Sequence, residues 1–296
     1  MSRPLHGRAP DGPVVPASAG GPPARQRSDG RVSLAVGPIG DAGPTRIRDL
    51  SESGPARLRF PRGPGAPEAV LVNTAGGVAC GDRFAVSLDL APNADLVFTT
   101  TAAEKIYRSD GPESRIVNAV RLGEGARLAW LPQETILFDR ARVRRCFEAD
   151  LSPGAGLLAV EIVAFGRLAS AERIAQGLFE DVWRVRRAGR LVYADTVRLD
   201  GPVGDLLDRA AIGGGARACA TVLDCSPEAE TRLEEARAHL DAAFAPRITG
   251  GIAAASAWNG HLAVRALAPA VGSLRAALAR FLAAYRGAPM PRVWQS

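Results

Sequence analysis

Phe84-Ala85-Val86-Ser87-Leu88-Asp89-Leu90 alternates between apolar and small or polar side chains. Successive side chains of an extended chain point to opposite faces. A period of two therefore gathers Phe84, Val86, Leu88 and Leu90 on one face and predicts a half-buried strand. The signature spreads outward in both directions. Upstream lie a strand-like run at 32–36, a turn-rich stretch at 37–55 and the apolar run Ala69-Val70-Leu71-Val72, which stops at Asn73. Downstream, strands are predicted over 94–101, 115–122 and 126–131, the last two separated by the hairpin-like turn Gly123-Glu124-Gly125. Runs at 141–151 and 156–165 flank Ser152-Pro153-Gly154, and runs at 182–187 and 190–199 flank the hairpin candidate Ala188-Gly189. Two more strands are expected at 247–258 and 262–268.

Helical signals come late. Ser226 as N-cap and Pro227 at the first helical position open a helix over 226–243, with Leu233, Ala236, Leu240 and Phe244 as its apolar stripe. A second fits 273–285, with Leu274, Leu278, Phe281 and Leu282 on one face and Gly287 beyond its end. Strands in consecutive runs disfavour a parallel α/β sheet. They predict a mainly β fold of layered antiparallel or mixed β-sheets with two late α-helices. Residues 31–296 read as one β-rich domain, and residues 1–30, rich in Pro, Gly and Arg, as a disordered tail.

Composition excludes whole classes. The 296 residues are 47% hydrophobic and 23% charged, too apolar for disorder throughout. The uncharged stretch 248–264 holds glycines, Ser256, Asn259 and His261 and falls short of a membrane-spanning helix. A net charge of +6 suits an acidic partner, but the arginines are scattered and aromatics make up only 5%, which argues against a nucleic-acid platform. Cys80, Cys146, Cys219 and Cys225 form no C-x-x-C pair, and His6, His239 and His261 lie far apart. The first thirty residues hold no apolar signal region, so a reducing cytoplasm with free thiols is expected.

Four clusters hold the polar chemistry. Asn73-Thr74-Ala75-Gly76-Gly77-Val78-Ala79-Cys80-Gly81-Asp82 brackets three glycines between Asn73 and Asp82. It lacks both phosphate-loop spacings and reads as a tight turn or, more weakly, a phosphate cradle. Glu104-Lys105-Ile106-Tyr107-Arg108 contains the chain's one lysine. As a strand it sends Glu104 and Arg108 to one face, Lys105 and Tyr107 to the other. Leu131-Pro132-Gln133-Glu134-Thr135-Ile136-Leu137-Phe138-Asp139 sets Glu134 and Asp139 in an apolar segment, where paired carboxylates serve acid/base work or metal binding if they meet. Gly166-Arg167 with Glu172 reads as a structural anchor at a strand exit.

Together, residues 71–82, 99–108 and 131–138, with Gly166-Arg167, the run Leu191-Val192-Tyr193-Ala194-Asp195 and the terminal Pro291-Arg292-Val293-Trp294, resemble the urease accessory protein UreD family, called UreH in some lineages. Two positions depart from the family pattern. Cys80 stands where a further glycine is usual, and Ala171 stands where a glycine precedes Glu172. The resemblance implies a β-rich, non-catalytic scaffold that binds UreF. UreF in turn recruits the GTPase UreG, and nickel is delivered to urease apoprotein along an internal polar path. It implies no tightly bound cofactor, only transient Ni²⁺, and is compatible with self-association within the complex. On that basis Asp82, Glu104, Glu134, Asp139 and Glu172 are the metal-transit candidates. Asn73, Thr74, Gly76, Gly77, Gly81, Lys105, Tyr107, Gln133, Gly166 and Arg167 are the motif positions. Arg292 and Trp294 are candidates for a partner interface. The competing reading is a β-rich hydrolase using Glu134 and Asp139.

Overall fold

A computed structural model describes residues 27–295 except 41–42, 64, 168–169, 171 and 245–248. In chain order the strands are β1 (Asp29–Pro38), β2 (Thr45–Ser53), β3 (Ala56–Arg59), β4 (Glu68–Asn73), β5 (Arg83–Leu90), β6 (Asp95–Thr100), β7 (Glu104–Ile106), β8 (Ser114–Leu122), β9 (Arg127–Leu131), β10 (Thr135–Leu137), β11 (Arg142–Leu151), β12 (Gly156–Phe165), β13 (Gly177–Arg187) and β14 (Arg190–Gly201). Then come α1 (Val203–Asp208), β15 (Ala218–Asp224), α2 (Leu233–Phe244), β16 (Ile252–Trp258), β17 (His261–Ala268) and α3 (Val271–Arg286). The segment 1–26, which covers most of the expected tail, lies outside the described residues.

Two mixed sheets form the layers. The first runs β14-β13-β11-β8-β5-β1-β2, and the second runs β16-β17-β15-β12-β9-β6-β4-β3, with β10 and β7 attached beside β12. Their centres are parallel: β5 pairs with β8, β8 with β11 and β11 with β13, while β4 pairs with β6, β6 with β9 and β9 with β12. Parallel neighbours need a long crossover, usually a helix. Here the crossover is a strand of the opposite sheet, so the chain coils from layer to layer without one.

This corrects the hairpin-like reading of Gly123-Glu124-Gly125, because β8 and β9 belong to different sheets. The turn is a corner, and successive corners stack. Gly123 N–H donates to the Leu90 carbonyl (2.8 Å) and Ser152 N–H to the Leu122 carbonyl (2.8 Å). Ala188-Gly189 is a true hairpin, with φ of +48° and +79° at its two central residues and antiparallel arms. The stretch expected to be turn-rich contains β2, an edge strand exposed along nearly its whole length, which therefore has no buried face to impose alternation. The late helices are present, but Ser226 is not a cap. A single 3₁₀ turn at Ala229–Arg232 precedes α2, and the Ser226 carbonyl instead accepts the Ala229 N–H (3.1 Å).

Between the layers an aromatic row runs from Phe98 on Trp130 (4.1 Å, stacked) through Phe147 (5.2 Å) to Trp183 (4.9 Å). The outer face of the second sheet is covered by α2 and α3, whose Leu240, Leu274, Leu278, Phe281 and Leu282 are buried against it as the stripes predicted. The chain end closes on the same cluster. Trp294 is 4% exposed and its indole N–H donates to the Leu131 carbonyl (3.0 Å). Gln133 donates to the Val293 carbonyl (2.5 Å), and Arg275 of α3 donates to both Gln133 Oε1 (2.9 Å) and the Trp294 carbonyl (3.0 Å). Trp294 is thus a core residue, which removes it as an interface anchor, whereas Arg292 is exposed. Truncating a buried Trp deletes transfer energy and leaves a cavity. Trp294→Ala is expected to lose about 3–5 kcal/mol in denaturant unfolding, and Arg292→Ala to stay within about 0.5 kcal/mol.

Candidate functional site

Four rungs bring the sequence motifs side by side. Val78 of the glycine-rich stretch bridges Ile106 of β7 in parallel, Ile106 pairs with Leu137 of β10, and Leu137 pairs with Phe165 at the end of β12. All four side chains are buried in one apolar cluster. Each rung belongs to a later coil of the chain, so clusters far apart in sequence become neighbours in space.

The glycine-rich stretch is a turn braced by its own side chains. Asn73 Oδ1 accepts the Ala75 N–H (3.0 Å), and its Nδ2 donates to the Gly77 carbonyl (3.0 Å). Thr74 donates twice to the Pro55 carbonyl, from N–H (2.9 Å) and hydroxyl (3.0 Å). At Gly77 the chain approaches a ring so closely that a Cβ would lie 2.5 Å from Tyr107, whose hydroxyl donates to the Gly76 carbonyl (2.9 Å). Asp82 is buried, and its oxygens accept the N–H groups of Ser28 (2.7 Å) and Ala79 (2.8 Å). Gly81 beside it adopts positive φ, and Cys80 donates its thiol to Asp110 (3.1 Å).

On the outside the rungs carry a stack. Tyr107 meets Phe138 edge-on (5.0 Å), and the Arg167 guanidinium lies 4.1 Å from the Phe138 ring centre. Arg167 also binds Glu172, which accepts the Asp139 N–H (2.8 Å), while Asp139 accepts the N–H groups of Ala175 (2.7 Å) and Gln176 (3.1 Å). Burial raises the Glu172 carboxyl, but Arg167 and the Asp139 amide outweigh it and leave the group below its ordinary value. Gly166 turns the chain into this loop at φ +96°, where a Cβ would meet the Glu172 carbonyl at 2.6 Å. Lys105 is exposed on this side of β7.

Glu104 faces the interior. It lines a cavity of about 70 Å³ between the sheets, together with Gln133, Thr135, Arg145 and Glu161. Asn73 Nδ2 donates to both carboxylate oxygens (3.2 and 3.3 Å). Burial pushes the Glu104 carboxyl up to about 7, against the opposing pull of Asn73 and of the Lys105 amide and charge. Deeper in the same cavity, Arg145 of β11 binds Asp181 of β13 in two-pronged fashion (3.0 and 2.7 Å) and reaches across to Glu161 of β12 (2.6 Å) and Thr135 (3.2 Å). Trp130 donates to Glu161 (3.1 Å) and Trp183 to Asp181 (3.1 Å). Burial alone lowers Arg145, yet the Asp181 and Glu161 charges hold it above its ordinary value. Burial raises Glu161, with Arg145 opposing.

Of the five carboxylates singled out from sequence, Glu104 alone lines this cavity. Asp82, Asp139 and Glu172 hold backbone amides, and Glu134 ion-pairs with Arg275 (3.3 Å). Glu134 and Asp139 therefore serve different elements. The sequence reading did not single out Arg145, Glu161 or Asp181, although strand parity pointed to them, since each shares the inward register of buried apolar neighbours. The cavity wall is mostly apolar, with Leu71, Phe84, Val86, Phe98, Ile116 and Trp130 on it, and carries Glu104, Asn118, Gln133, Thr135, Arg145 and Glu161 as polar groups. Among the described residues no three His, Cys, Asp or Glu side chains group as a metal cage. A separate apolar groove of about 410 Å³, floored by Cys219, Thr221 and Ala253 at the sheet edges, includes none of these residues.

The family model for the UreD urease accessory protein matches residues 28–295. The chain is 70% identical to urease accessory protein UreD 1 of Methylobacterium radiotolerans over 96% of this chain and 99% of that protein. It is 60% identical to UreD 2 of Methylorubrum populi over the full length of both, and 54% identical to UreD of Xanthobacter autotrophicus over 91% of each.

The Glu104 environment has a readable pH signature. A carboxyl raised from 4.5 to about 7 binds more protons folded than unfolded, so its contribution to stability is full below pH 4.5 and is lost as pH rises through 7. Glu104→Gln is expected to match the parent protein near pH 4.5 and to become the more stable of the two above pH 7, by up to about 3 kcal/mol. Unfolding curves across that range check it, and a constant difference would contradict the buried environment.

Proposed function

Because the chain belongs to the UreD urease accessory protein family, we propose that it scaffolds urease maturation with UreF and the GTPase UreG and passes nickel to urease apoprotein. The family assignment makes the protein an accessory factor in maturation and not an enzyme. The observation that supports the finer reading is Glu104, a carboxyl on the wall of the inter-sheet cavity that is tied to the glycine-rich turn through Asn73. A carrier must release its cargo. Ni²⁺ accepts N, O and S ligands, and a single carboxyl with few other oxygen donors beside it holds the ion loosely enough to hand it on. Glu104 is the one of the five transit candidates on that wall, so it is taken as the residue in contact with the ion, while Glu161 there is committed to Arg145 and Trp130. Asp82, Asp139 and Glu172 instead fix the neighbouring motif loops through backbone amides.

The hydrolase reading is set aside. It needs Glu134 and Asp139 as a working pair, and they are engaged by Arg275 and by the Ala175 and Gln176 amides respectively. No helix among the described residues is long and apolar enough to cross a membrane. The four cysteines are free thiols, in keeping with the cytoplasmic setting proposed here.

The test is co-expression of the tagged chain with UreF, UreG and urease apoprotein from the same genome, followed by nickel-dependent urease assay. Retention of UreF, and activity that collapses when this chain is omitted, is the expected result. Glu104→Gln should retain UreF yet lower activation several-fold. Activation independent of the chain would refute the scaffold role. Normal activation by Glu104→Gln would refute the cavity as the nickel route.

A further inference from the structure

The row of rings between the layers does not stop at Trp183. Tyr193 of β14 meets Trp183 edge-on (6.3 Å), His261 of β17 meets Tyr193 (5.0 Å), and Trp258 of β16 meets His261 (4.3 Å). Trp258 and His261 are the pair that closes the two-residue turn Asn259-Gly260, so the row crosses from the first sheet and ends on a hairpin tip of the second. The end ring, Trp258, is 51% exposed, whereas His261 is 1% exposed.

The tip is tied to the edge strand of the facing sheet at three places. Asn259 Nδ2 donates to the Val192 carbonyl (2.9 Å), and His261 packs on Tyr193. Arg265 donates to the Tyr193 hydroxyl (3.1 Å) and to Asp195 (2.6 Å). Farther along the same strands, Val197 and Leu199 of β14 and Ile252 and Ala254 of β16 line the apolar groove of about 410 Å³. The tip therefore stands at one end of that groove.

Among these ties, His261 is the one that a proton can break. Neither ring nitrogen makes a hydrogen bond of good geometry, although the Asn259 and Val192 backbone pulls weakly toward the charged ring. A buried imidazole is tolerable while neutral, but a charged one needs an acceptor or an anion. The groups around it offer little. Glu230, from the 3₁₀ turn before α2, acts on the ring but already accepts the Gly260 N–H. Arg265 of β17 and Asp195 of β14 neutralise each other, and Trp258 of β16 and Trp183 of β13 bring no charge. Burial consequently holds the imidazole below its ordinary value of 6.5.

We propose that His261 is an acid-sensitive latch: proton uptake by its ring releases the hairpin tip from β14 and opens that end of the apolar groove. The inference stands apart from the nickel reading, because it uses none of the residues around Glu104. A ring that holds its proton less well folded than unfolded contributes stability that is full above pH 6.5 and is lost as pH falls through the lowered value. Glu104 acts in the opposite direction and is common to every variant below, so comparison between variants isolates His261.

The experiment follows the full-length chain as pH falls from about 8 to about 5. Acrylamide quenching reads Trp258, since Trp130, Trp183 and Trp294 are buried. The apolar dye 1-anilinonaphthalene-8-sulfonate reads the groove. Both signals are expected to rise about twofold in the parent chain. Both should stay flat in His261→Phe, which keeps a ring between Trp258 and Tyr193. Proton NMR of the His261 ring is expected to give a midpoint below 6.5 in the parent. In Asn259→Ala, which removes the tie to Val192 and admits water, the midpoint should move up toward 6.5. If His261→Phe proves misfolded, that NMR comparison still decides. An equal rise of both signals in His261→Phe would overturn the latch, as would flat signals in the parent through its own His261 midpoint. So would a parent midpoint at or above 6.5.

Discussion

One guanidinium fastens the two layers where polar groups enter the core. Arg145 is 6% exposed and sits in the first sheet with Asp181 beside it, but its third contact, Glu161, belongs to the second. A charge taken out of water on this scale is tolerable only when every donor finds an acceptor and both carboxylates are themselves satisfied. Trp130 and Trp183 complete that condition, so the ionic group and the aromatic row are one construction. A two-sided, hydrogen-bonded ion cluster fixes their relative register, and with it the small cavity next to Thr135 and Glu104.

The coil that presents these groups follows from how the parallel strands are connected. A βαβ unit places helices over both faces of a sheet. When the return path is a strand in a facing sheet, both inner faces are buried against each other and the outer faces are left to other elements. That explains a chain with long runs of strand signal and helices only near its end. It also explains why 123–125 was legible as a turn but not as a corner. Glycine at a bend reports the backbone angle and carries no information about which sheet the next strand joins. The element type was readable wherever one face is buried, as at 84–90. It was lost at β2, which is solvated along nearly its whole length, and at β7 and β10, whose three residues are too short to show a period.

The candidate site was legible as a set of pieces. The motifs at 73–82, 104–108, 131–139 and 166–172 were each visible as polar groups in apolar surroundings, but their meeting depends on coil length, which no local pattern encodes. Strand parity carries a further signal. Arg145 alternates with Val143 and Phe147, and Glu161 lies within the apolar run of β12. A charged residue at an inward position implies a buried partner on another strand. Conversely, Trp294 looked like a surface anchor because a tryptophan near a chain end has no periodic neighbours. Only the docking of 292–294 beneath Arg275 and Gln133 shows it to be core.

The position of Glu104 shows why the glycine-rich turn is built with such tight contacts. Asn73 holds the turn through Ala75 and Gly77 and, with the same amide, donates to Glu104. Any loosening of the turn would withdraw the hydrogen bond that favours the ionised carboxylate and would leave desolvation opposed only by the Lys105 amide and charge. The charge on the cavity wall is therefore set by a loop some thirty residues away in sequence, at the rim of the stack formed by Tyr107, Phe138 and Arg167. A fully solvated acid would stay ionised, and a fully buried and unbonded one would stay neutral. Asn73 thus ties the Glu104 carboxyl to the turn in which Gly77 packs against the Tyr107 ring.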